Sequence, residues 1–383
     1  MIVSLKNGIK LISIAVVVCT AVFVCNLFLN FYIDVTAMRE YVYDMPDAEN
    51  LYNAQVLMAK FICAICGGVL AIIAVVMLIF YVKIYIDGNL KQLGIFKALG
   101  FSNGEIAIKF WVFGLSVFIG AVLGYLLSFT VMPTVYKDMT INIFTREVDV
   151  KFHPSLLIYL IILPTAAFSA LSCLYALFCL KKPVIAMLKG ADAGKFKFKD
   201  SKNEKSRSFT ADMIIAGLRG KKSLVALIAI AGFCFSAMIE MSFSMNDLSG
   251  MTNMNLIILI IGIILSSTIF IMSVTAVINA NSKSSSLMKT FGYGFWERYN
   301  AVFGGYRPFA YAGFALGTVY QFGLMTLMVN VFFKDVENVP EYGFNVPAFF
   351  ITLAIFIALY EAATLLFAYK MDKISVKQIM VEN

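Results

Sequence analysis

Residues 11–33 read LISIAVVVCTAVFVCNLFLNFYI, a run of 23 residues without a charged side chain. A helix needs about 20 such residues to cross the hydrocarbon core of a bilayer, and a charge at the centre of that core costs several kcal/mol. The whole chain of 383 residues is 61% hydrophobic and only 14% charged, whereas soluble proteins carry about 25% charge. This composition excludes a soluble enzyme and predicts a membrane protein that crosses the bilayer many times.

Uninterrupted apolar runs predict eight membrane spans and an all-α fold. Two of the spans carry one acid each, 223–246 with Glu240 and 342–369 with Glu361. The other six are free of charge: 11–33, 61–82, 110–136, 154–180, 248–282 and 308–333. The loops on the side of the termini hold 25 Lys/Arg and 9 Asp/Glu, against 6 and 12 on the other side. Basic loops stay in the cytoplasm, so we expect a bacterial cell-membrane protein with both termini cytoplasmic.

The chain also contains an internal repeat. Residues 97–101 (KALGF) align with 289–293 (KTFGY) at an offset of 192, and 120–124 (GAVLG) align with 313–317 (GFALG) at 193. Repeats of four spans have both ends on one side, so they are parallel, as in many transporters built from duplicated halves. We predict two parallel four-helix repeats, 1–190 and 221–383, joined by a basic cytoplasmic linker at 191–220.

The segment after the second span predicts a rigid turn on the cytoplasmic side. Leu93, Phe96 and Leu99 recur near helical spacing, and Gly100 suits the end of a helix. Ser102 followed by Glu105 predicts a capping box that starts the next helix. We call residues 88–106 the first elbow and the repeated segment 281–298 the second elbow. An elbow held between two membrane helices is suited to pass force from a cytoplasmic partner to the spans.

At these residues the chain resembles the FtsX-like permease family of ABC transporters, which includes MacB-type exporters, lipoprotein extractors and antimicrobial-peptide resistance permeases. In that family a stretch resembling "E(I/L)GILRALGAS" forms the coupling helix that docks in the ATPase. Segment 182–189 similarly resembles the family's "SPIEALR" ending, and 374–380 is its counterpart in the second repeat. The resemblance implies these ATPase-coupling residues: Gly94, Lys97, Ala98, Leu99, Gly100, Ser102, Lys289 and Gly292.

The resemblance also implies the partners. The sequence has no G-x-x-x-x-G-K-[ST] loop for phosphates, so we expect ATP and Mg²⁺ to be bound by a separate ATPase dimer and no cofactor or enzyme activity in this chain. The expected task is export, extraction or resistance acting on an amphipathic, peptide-like or lipid-like client. Short outer loops leave room for a second permease or an extracytoplasmic subunit. Membrane lipid is an expected partner, nucleic acid is not, and a single histidine predicts no metal site.

The remaining candidates lie within the spans. The glycine pairs Gly120/Gly124 and Gly313/Gly317 predict close helix packing. Glu361 lies nine residues before Lys370, about 13 Å into the membrane, and is either a functional acid or an interhelix hydrogen-bond partner. Glu240 is expected to reach water at the outer border. Two alternatives stay open: an ion- or proton-coupled secondary transporter centred on Glu361, and a membrane scaffold or sensor that transports nothing.

Overall fold

The computed structural model describes residues 8–44, 46–140, 143–181, 183–188, 214–215, 218, 222–249, 252–332 and 342–373. The predicted linker at 191–220 lies outside these residues except at 214, 215 and 218, and segment 374–380 lies outside them entirely. The described part of the chain is helical and contains no sheet, and eight of its helices are long and apolar enough to cross a membrane. The predicted all-α, eight-span fold is confirmed.

The chain divides into two compact units. Unit 1 extends to residue 199 and includes Met328–Val339, and unit 2 contains the remainder. The helices of the first part of the chain are α1 Gly8–Ala37, α2 Pro46–Gly88, α3 Leu90–Ala98, α4 Asn103–Ile108, α5 Val112–Met139, α6 Pro154–Leu157, α7 Leu163–Cys179 and α8 Val184–Leu188. Those of the second part are α9 Lys222–Ser249, α10 Thr252–Thr290, α11 Phe295–Tyr299, α12 Arg307–Phe332 and α13 Val346–Lys373. The predicted division into two repeats and a linker stays a prediction.

Helix α2 is longer than its predicted span. It has 43 residues, which at 1.5 Å per residue is about 65 Å, roughly twice the thickness of the hydrocarbon core. The stretch of α2 suited to cross the membrane is Ala71–Gly88, which ends six residues later than the predicted span at 61–82. The residues after Pro46, predicted as an outer loop, are therefore the helical extension of a membrane span.

Small residues bring the helices of unit 1 into close contact. A Cβ added at Gly120 would overlap the carbonyl oxygen of Ala15, and one added at Gly124 would overlap that of Cys19. Helices α1 and α5 therefore approach with no side chain between their backbones at these positions, as small-xxx-small faces allow. Deeper along the same contact, the amide Nδ2 of the fully buried Asn26 donates to Ser128 Oγ at 2.6 Å, which links the two helices by a polar contact.

Unit 2 repeats this contact between α9 and α12. A Cβ at Gly313 would overlap the carbonyl oxygen of Ala229, and one at Gly317 would lie 2.5 Å from that of Phe233. Both predicted glycine pairs thus lie where two helix backbones meet. Because Gly120 and Gly313 are equivalent, the residues they contact, Ala15 and Ala229, are equivalent positions of α1 and α9. These two helices therefore align at an offset of 214 residues.

Equivalent residues of the two halves are 192 apart at the elbows but 193 apart at the glycine pairs, and this change has a local cause. Buried Ala107 and Tyr299 are 192 residues apart, whereas buried Phe113 and Tyr306 are 193 apart. Between them unit 1 has a 3₁₀ turn at Lys109–Trp111, while unit 2 has a π-helical segment at Asn300–Gly304. A π-bulge accommodates one extra residue in a helix. The second half therefore holds one more residue than the first while its buried face stays in register.

A buried aspartate fixes the segment before α6. Asp34 at the end of α1 is 3% exposed. It accepts hydrogen bonds from Tyr136 OH at 3.0 Å and from the backbone N–H of Lys151 at 3.2 Å, and its Oδ1 lies 2.8 Å from His153 Nε2. His153, the single histidine of the sequence, therefore has a buried acidic partner.

Candidate functional site

The first elbow turns at a glycine. Gly100 has a φ of +96°, a conformation that glycine adopts without strain. Its N–H donates to the carbonyl oxygen of Lys97 at 3.1 Å, and the N–H of Phe101 donates to that of Phe96 at 3.1 Å. This is the Schellman pattern that closes a helix, and the Phe96 and Phe101 rings meet edge to face at 5.9 Å across it. The end of α3 is therefore fixed by both hydrogen bonds and apolar contact.

The next helix starts with the predicted capping box, which is confirmed. Ser102 Oγ accepts from the N–H of Glu105 at 3.2 Å, and Glu105 Oε2 accepts from the N–H of Ser102 at 2.8 Å. Because the helix end and the following helix start are both closed locally, the angle between α3 and α4 is determined by a handful of residues.

Long-range contacts attach the first elbow to the rest of unit 1. Lys97 Nζ donates to the carbonyl oxygen of Leu180 at 2.8 Å, just after the last residue of α7. A cation at the carboxyl end of a helix is stabilised by the free carbonyls and by the helix dipole. Gly94 is buried, and a Cβ there would lie 3.1 Å from Met187 Cβ on α8. The structure thus places Gly94 and Lys97 in contacts within the unit.

The second elbow has the same internal geometry. Gly292 has a φ of +84°, its N–H donates to Lys289 at 3.2 Å, and the N–H of Tyr293 donates to Met288 at 3.1 Å. Glu297 Oε2 accepts from the N–H of residue 294 at 3.0 Å. One difference is that α10 runs unbroken from the membrane span to Thr290, whereas α2 and α3 are separate helices.

Two further pairs of contacts recur at the same offset of 192. Lys289 Nζ donates to the carbonyl oxygen of Asp372 at 2.7 Å, over a sequence separation of 83, which is also the separation of Lys97 and Leu180. The amide of Asn89 donates to the carbonyl oxygen four residues before it at 2.8 Å, and that of Asn281 does so at 2.9 Å. The asparagines were visible in the sequence at the repeat offset, but sequence analysis did not identify them.

Each elbow presents apolar side chains to its surroundings. Leu99 is 70% exposed and its counterpart Phe291 is 74% exposed. One turn earlier, Ile95 and Leu287 are exposed as well. The other exposed residues of the predicted set are Ala98, Gly100, Ser102, Lys289 and Gly292. Rigid backbone that holds large apolar side chains outward is typical of a docking surface.

Residues 64–184 match the family model of the FtsX-like permease C-terminal domain. This part of the chain is an FtsX-like permease domain. The match contains the whole first elbow, Gly120 and Gly124, and the end of α7 that Lys97 contacts. With eight helices long and apolar enough to cross a membrane among its described residues, the chain is a multi-pass membrane protein. No curated protein and no solved structure gives a significant match to the chain.

The second elbow carries a cluster of ionic contacts. Arg298 is 8% exposed, and its NH1 donates to Asp372 Oδ1 at 2.7 Å, while Lys289 Nζ lies 3.0 Å from the same oxygen. In unit 1 the corresponding positions are Ile106 and Leu180, both fully buried. The Arg298 guanidinium, with Lys289 beside it, holds the pKa of Asp372 below its usual range. At these equivalent positions, unit 1 therefore has two buried apolar residues and unit 2 has a charged cluster.

This cluster predicts faster hydrogen exchange in an Asp372→Asn variant. A hydrogen bond to a charged group contributes about 1.5–3 kcal/mol, so amides at 293–298 are expected to exchange about 10- to 100-fold faster at neutral pH. Because the folded pKa of Asp372 is depressed, its contribution is present above the unfolded pKa and is lost only as pH falls through the folded value. In the wild type, protection corrected for intrinsic rates is expected to stay level from about pH 8 to about pH 5.

Hydrogen–deuterium exchange read by mass spectrometry checks this prediction. Asp149→Asn is the control, since Asp149 is exposed in the outer segment of unit 1 and its replacement should leave residues 293–298 unchanged. Unaltered exchange at residues 293–298 in Asp372→Asn would contradict the stabilising role assigned to this cluster. So would protection in the wild type that falls steadily from about pH 8 to about pH 5.

Glu361 is an acceptor in an ion pair between two helices, which favours the second of its two expected roles, that of an interhelix hydrogen-bond partner. Arg307 NH2 donates to Glu361 Oε2 at 2.8 Å, and Tyr299 OH donates to the same oxygen at 2.8 Å. The guanidinium also lies 5.3 Å above the centre of the Tyr299 ring. Arg307 opens α12 and was counted with a cytoplasmic loop, so its reach to α13 was missed. The carboxylate thus joins α13 to the start of α12 through a charge-assisted hydrogen bond.

Glu240 is also placed differently from the prediction. It is 4% exposed, so it does not simply reach water. Three hydroxyl groups, those of Ser236, Thr318 and Thr352, lie within hydrogen-bond distance of its Oε1. The helices α9, α12 and α13 meet around this carboxylate, at the end of unit 2 opposite the second elbow.

Proposed function

We propose that the permease is the membrane subunit of an ABC transporter and that a separate ATPase dimer docks on its two elbows. The observation that carries the proposal is the matched pair of exposed apolar positions, Leu99 and Phe291, on turns of the same backbone geometry. A dimer of identical ATPase subunits offers two equivalent surfaces, and two equivalent elbows suit such a partner. The family match over the first elbow supports the same partner.

The lysine contacts supply a route for force in this proposal. When the ATPase dimer closes on ATP, it pushes each elbow, and the elbow is attached to the carboxyl end of the last span of its repeat through Lys97 and Leu180 or Lys289 and Asp372. Movement is then passed to helices that meet backbone to backbone at the glycine pairs. These contacts respond to small displacements because close-packed interfaces deform little before they rearrange.

The client and the setting are also part of the proposal. We infer a bacterial cell-membrane location with cytoplasmic termini from the basic loops, and an amphipathic, peptide-like or lipid-like client from the family resemblance. The ion pair at Glu361 disfavours the alternative of a proton-coupled transporter centred on that residue. A second permease or an extracytoplasmic subunit would present the client.

Replacing Leu99 by aspartate is expected to weaken ATPase docking at least about 30-fold. A charge at the centre of a desolvated contact costs about 2 kcal/mol or more. Phe291→Asp is expected to act similarly, and the double variant to abolish MgATP-dependent activity in the purified complex. Phe344→Asp is the matched control, since Phe344 is also exposed but lies at the other end of unit 2.

Site-specific photo-crosslinking identifies the docked protein directly. A benzophenone side chain at 99 or 291 should form a crosslink to a protein whose peptides contain a P-loop and an ABC signature, and one at 344 should not. Crosslinks to other proteins only, or full ATPase activity in the double variant, would reject the proposed docking.

A further inference from the structure

The carboxylate of Glu240 is surrounded by neutral oxygen atoms. Its Oε1 lies 2.9 Å from Thr318 Oγ1, 3.2 Å from Ser236 Oγ and 3.4 Å from Thr352 Oγ1. The Ser236 and Thr318 hydroxyls are also 2.8 Å from each other. All three hydrogen bonds go to one carboxylate oxygen, and every one comes from an uncharged group.

Beside this carboxylate is a small polar cavity. It has a volume of about 10 Å³, enough for a single particle the size of a water molecule. Its polar lining consists of Glu240, Ser244, Gln321, Tyr342 and Asn345. Gln321 Nε2 donates to Ser244 Oγ at 2.8 Å and to Tyr342 OH at 3.0 Å. Tyr342 and Asn345 belong to the segment that precedes α13, so the cavity lies near the end of the span.

Helix packing alone does not require an acid at this position. The alignment of α1 with α9 places Asn26 of unit 1 where unit 2 has Glu240. Asn26 is fully buried, and its Nδ2 donates to the Ser128 hydroxyl at 2.6 Å, so this position of unit 1 joins two helices without a charge. A carboxylate buried without a counter-charge costs several kcal/mol, and none of the described residues that line the cavity is Lys, Arg or His. The acid is therefore explained by a positive ligand.

We propose that this cavity binds one monovalent metal cation, sodium or potassium, with Glu240 as the charged ligand. A single carboxylate balances a single positive charge, whereas calcium and magnesium sites in proteins use more acidic ligands or retain several waters. Hydroxyl groups of Ser244 and Tyr342 can turn to present lone pairs. Rotation of the Gln321 amide exchanges its Nε2 for Oε1, which converts a hydrogen-bonded arrangement to a coordinating one without backbone movement.

Thermal unfolding of the full chain in lipid nanodiscs tests the proposal. At constant ionic strength, sodium or potassium chloride replaces choline chloride, and the wild type is expected to show a saturable rise in Tm of about 5 °C at 100 times Kd. The two metal arms show which ion is preferred. Glu240→Gln, which keeps the shape of the side chain, is expected to lose at least 90% of this rise. Ser128→Ala, which removes a buried hydroxyl from unit 1, is the control and should keep the full rise in Tm.

Direct binding completes the test and does not depend on any ATPase. Equilibrium dialysis with radioactive sodium or rubidium, the latter standing for potassium, is expected to count one ion per wild-type chain and none in Glu240→Gln. Tyr342 lies outside the helices, and Tyr342→Phe is expected to weaken binding about tenfold. This second variant keeps the proposal testable if Glu240→Gln fails to fold. Equal melting in all three salts, or a full response in Glu240→Gln, would overturn the site. So would stabilisation by acid pH with no dependence on the metal, since a proton would then neutralise Glu240.

Discussion

Gly120→Leu is expected to destabilise the protein by about 3 kcal/mol or more. A Cβ at this position overlaps the carbonyl oxygen of Ala15, a backbone atom that no side-chain rotation can move. Helices α1 and α5 must therefore separate, which adds the strain of overpacking to the loss of contacts along both helices. Gly313→Leu is expected to have a similar effect, because the carbonyl oxygen of Ala229 takes the same place in unit 2.

Matched glycines elsewhere in the spans separate close packing from a general effect of leucine. A Cβ at Gly68 on α2 or at Gly323 on α12 meets no atom within 4 Å. Leucine at these two positions is expected to be neutral or slightly stabilising, since glycine is a poor helix former. Thermal unfolding in nanodiscs measures all four variants. A Gly120→Leu protein that melts at the wild-type temperature would show that α1 and α5 do not meet as described.

The fold was predictable because its strongest signals are local. The absence of charge over about 20 residues identifies a span without any knowledge of its neighbours, and all eight spans were found in this way. The first elbow was similarly predictable, since Gly100, Ser102 and Glu105 act on the backbone within a few residues of themselves. The repeat helped because it showed the same signals twice.

The side-chain partners within the membrane were not predictable from these signals. Arg307 and Glu361 are 54 residues apart in sequence, and nothing local indicates that they meet. Glu240 was placed at the border by counting residues along one helix, whereas its burial depends on hydroxyl groups from two other helices. The π-helical segment at Asn300–Gly304 was also not predictable. The offset of 193 between the two glycine pairs shows that the second half has an extra residue, but it does not show where that residue lies.

The second elbow shows how one backbone geometry tolerates different chemistry. Sequence drift from Lys97–Phe101 to Lys289–Tyr293 left the helix end unchanged, because the lysine contact and the positive φ of Gly292 were kept. The last residue of each elbow differs more, since the fully buried Ile106 is replaced by the ion-paired Arg298. Conserved geometry with divergent attachment would let the two elbows differ in stiffness while docking the same partner.

The pair Arg307 and Glu361 allows a sharp test of whether the acid acts alone. Arg307→Met leaves a carboxylate within the span without its guanidinium, and we expect a loss of stability of about 2–3 kcal/mol. Combining it with Glu361→Gln should recover most of that loss, because no charge then remains. Tyr299→Phe, which removes one donor but keeps the ion pair, should cost only about 0.5–1.5 kcal/mol.

Unit 1 supports the neutral double variant, since the corresponding positions there are uncharged. Gly114 aligns with Arg307 at the offset of 193 and Ser169 with Glu361 at 192, and a Cβ at Gly114 would overlap Ser169 Oγ. The same helix contact is thus made by close packing in one half and by an ion pair in the other. A double-mutant cycle on thermal stability gives the coupling energy between Arg307 and Glu361. If Glu361→Gln abolished transport while Arg307→Met changed neither stability nor transport, the acid would act without its arginine and the structural assignment would fail.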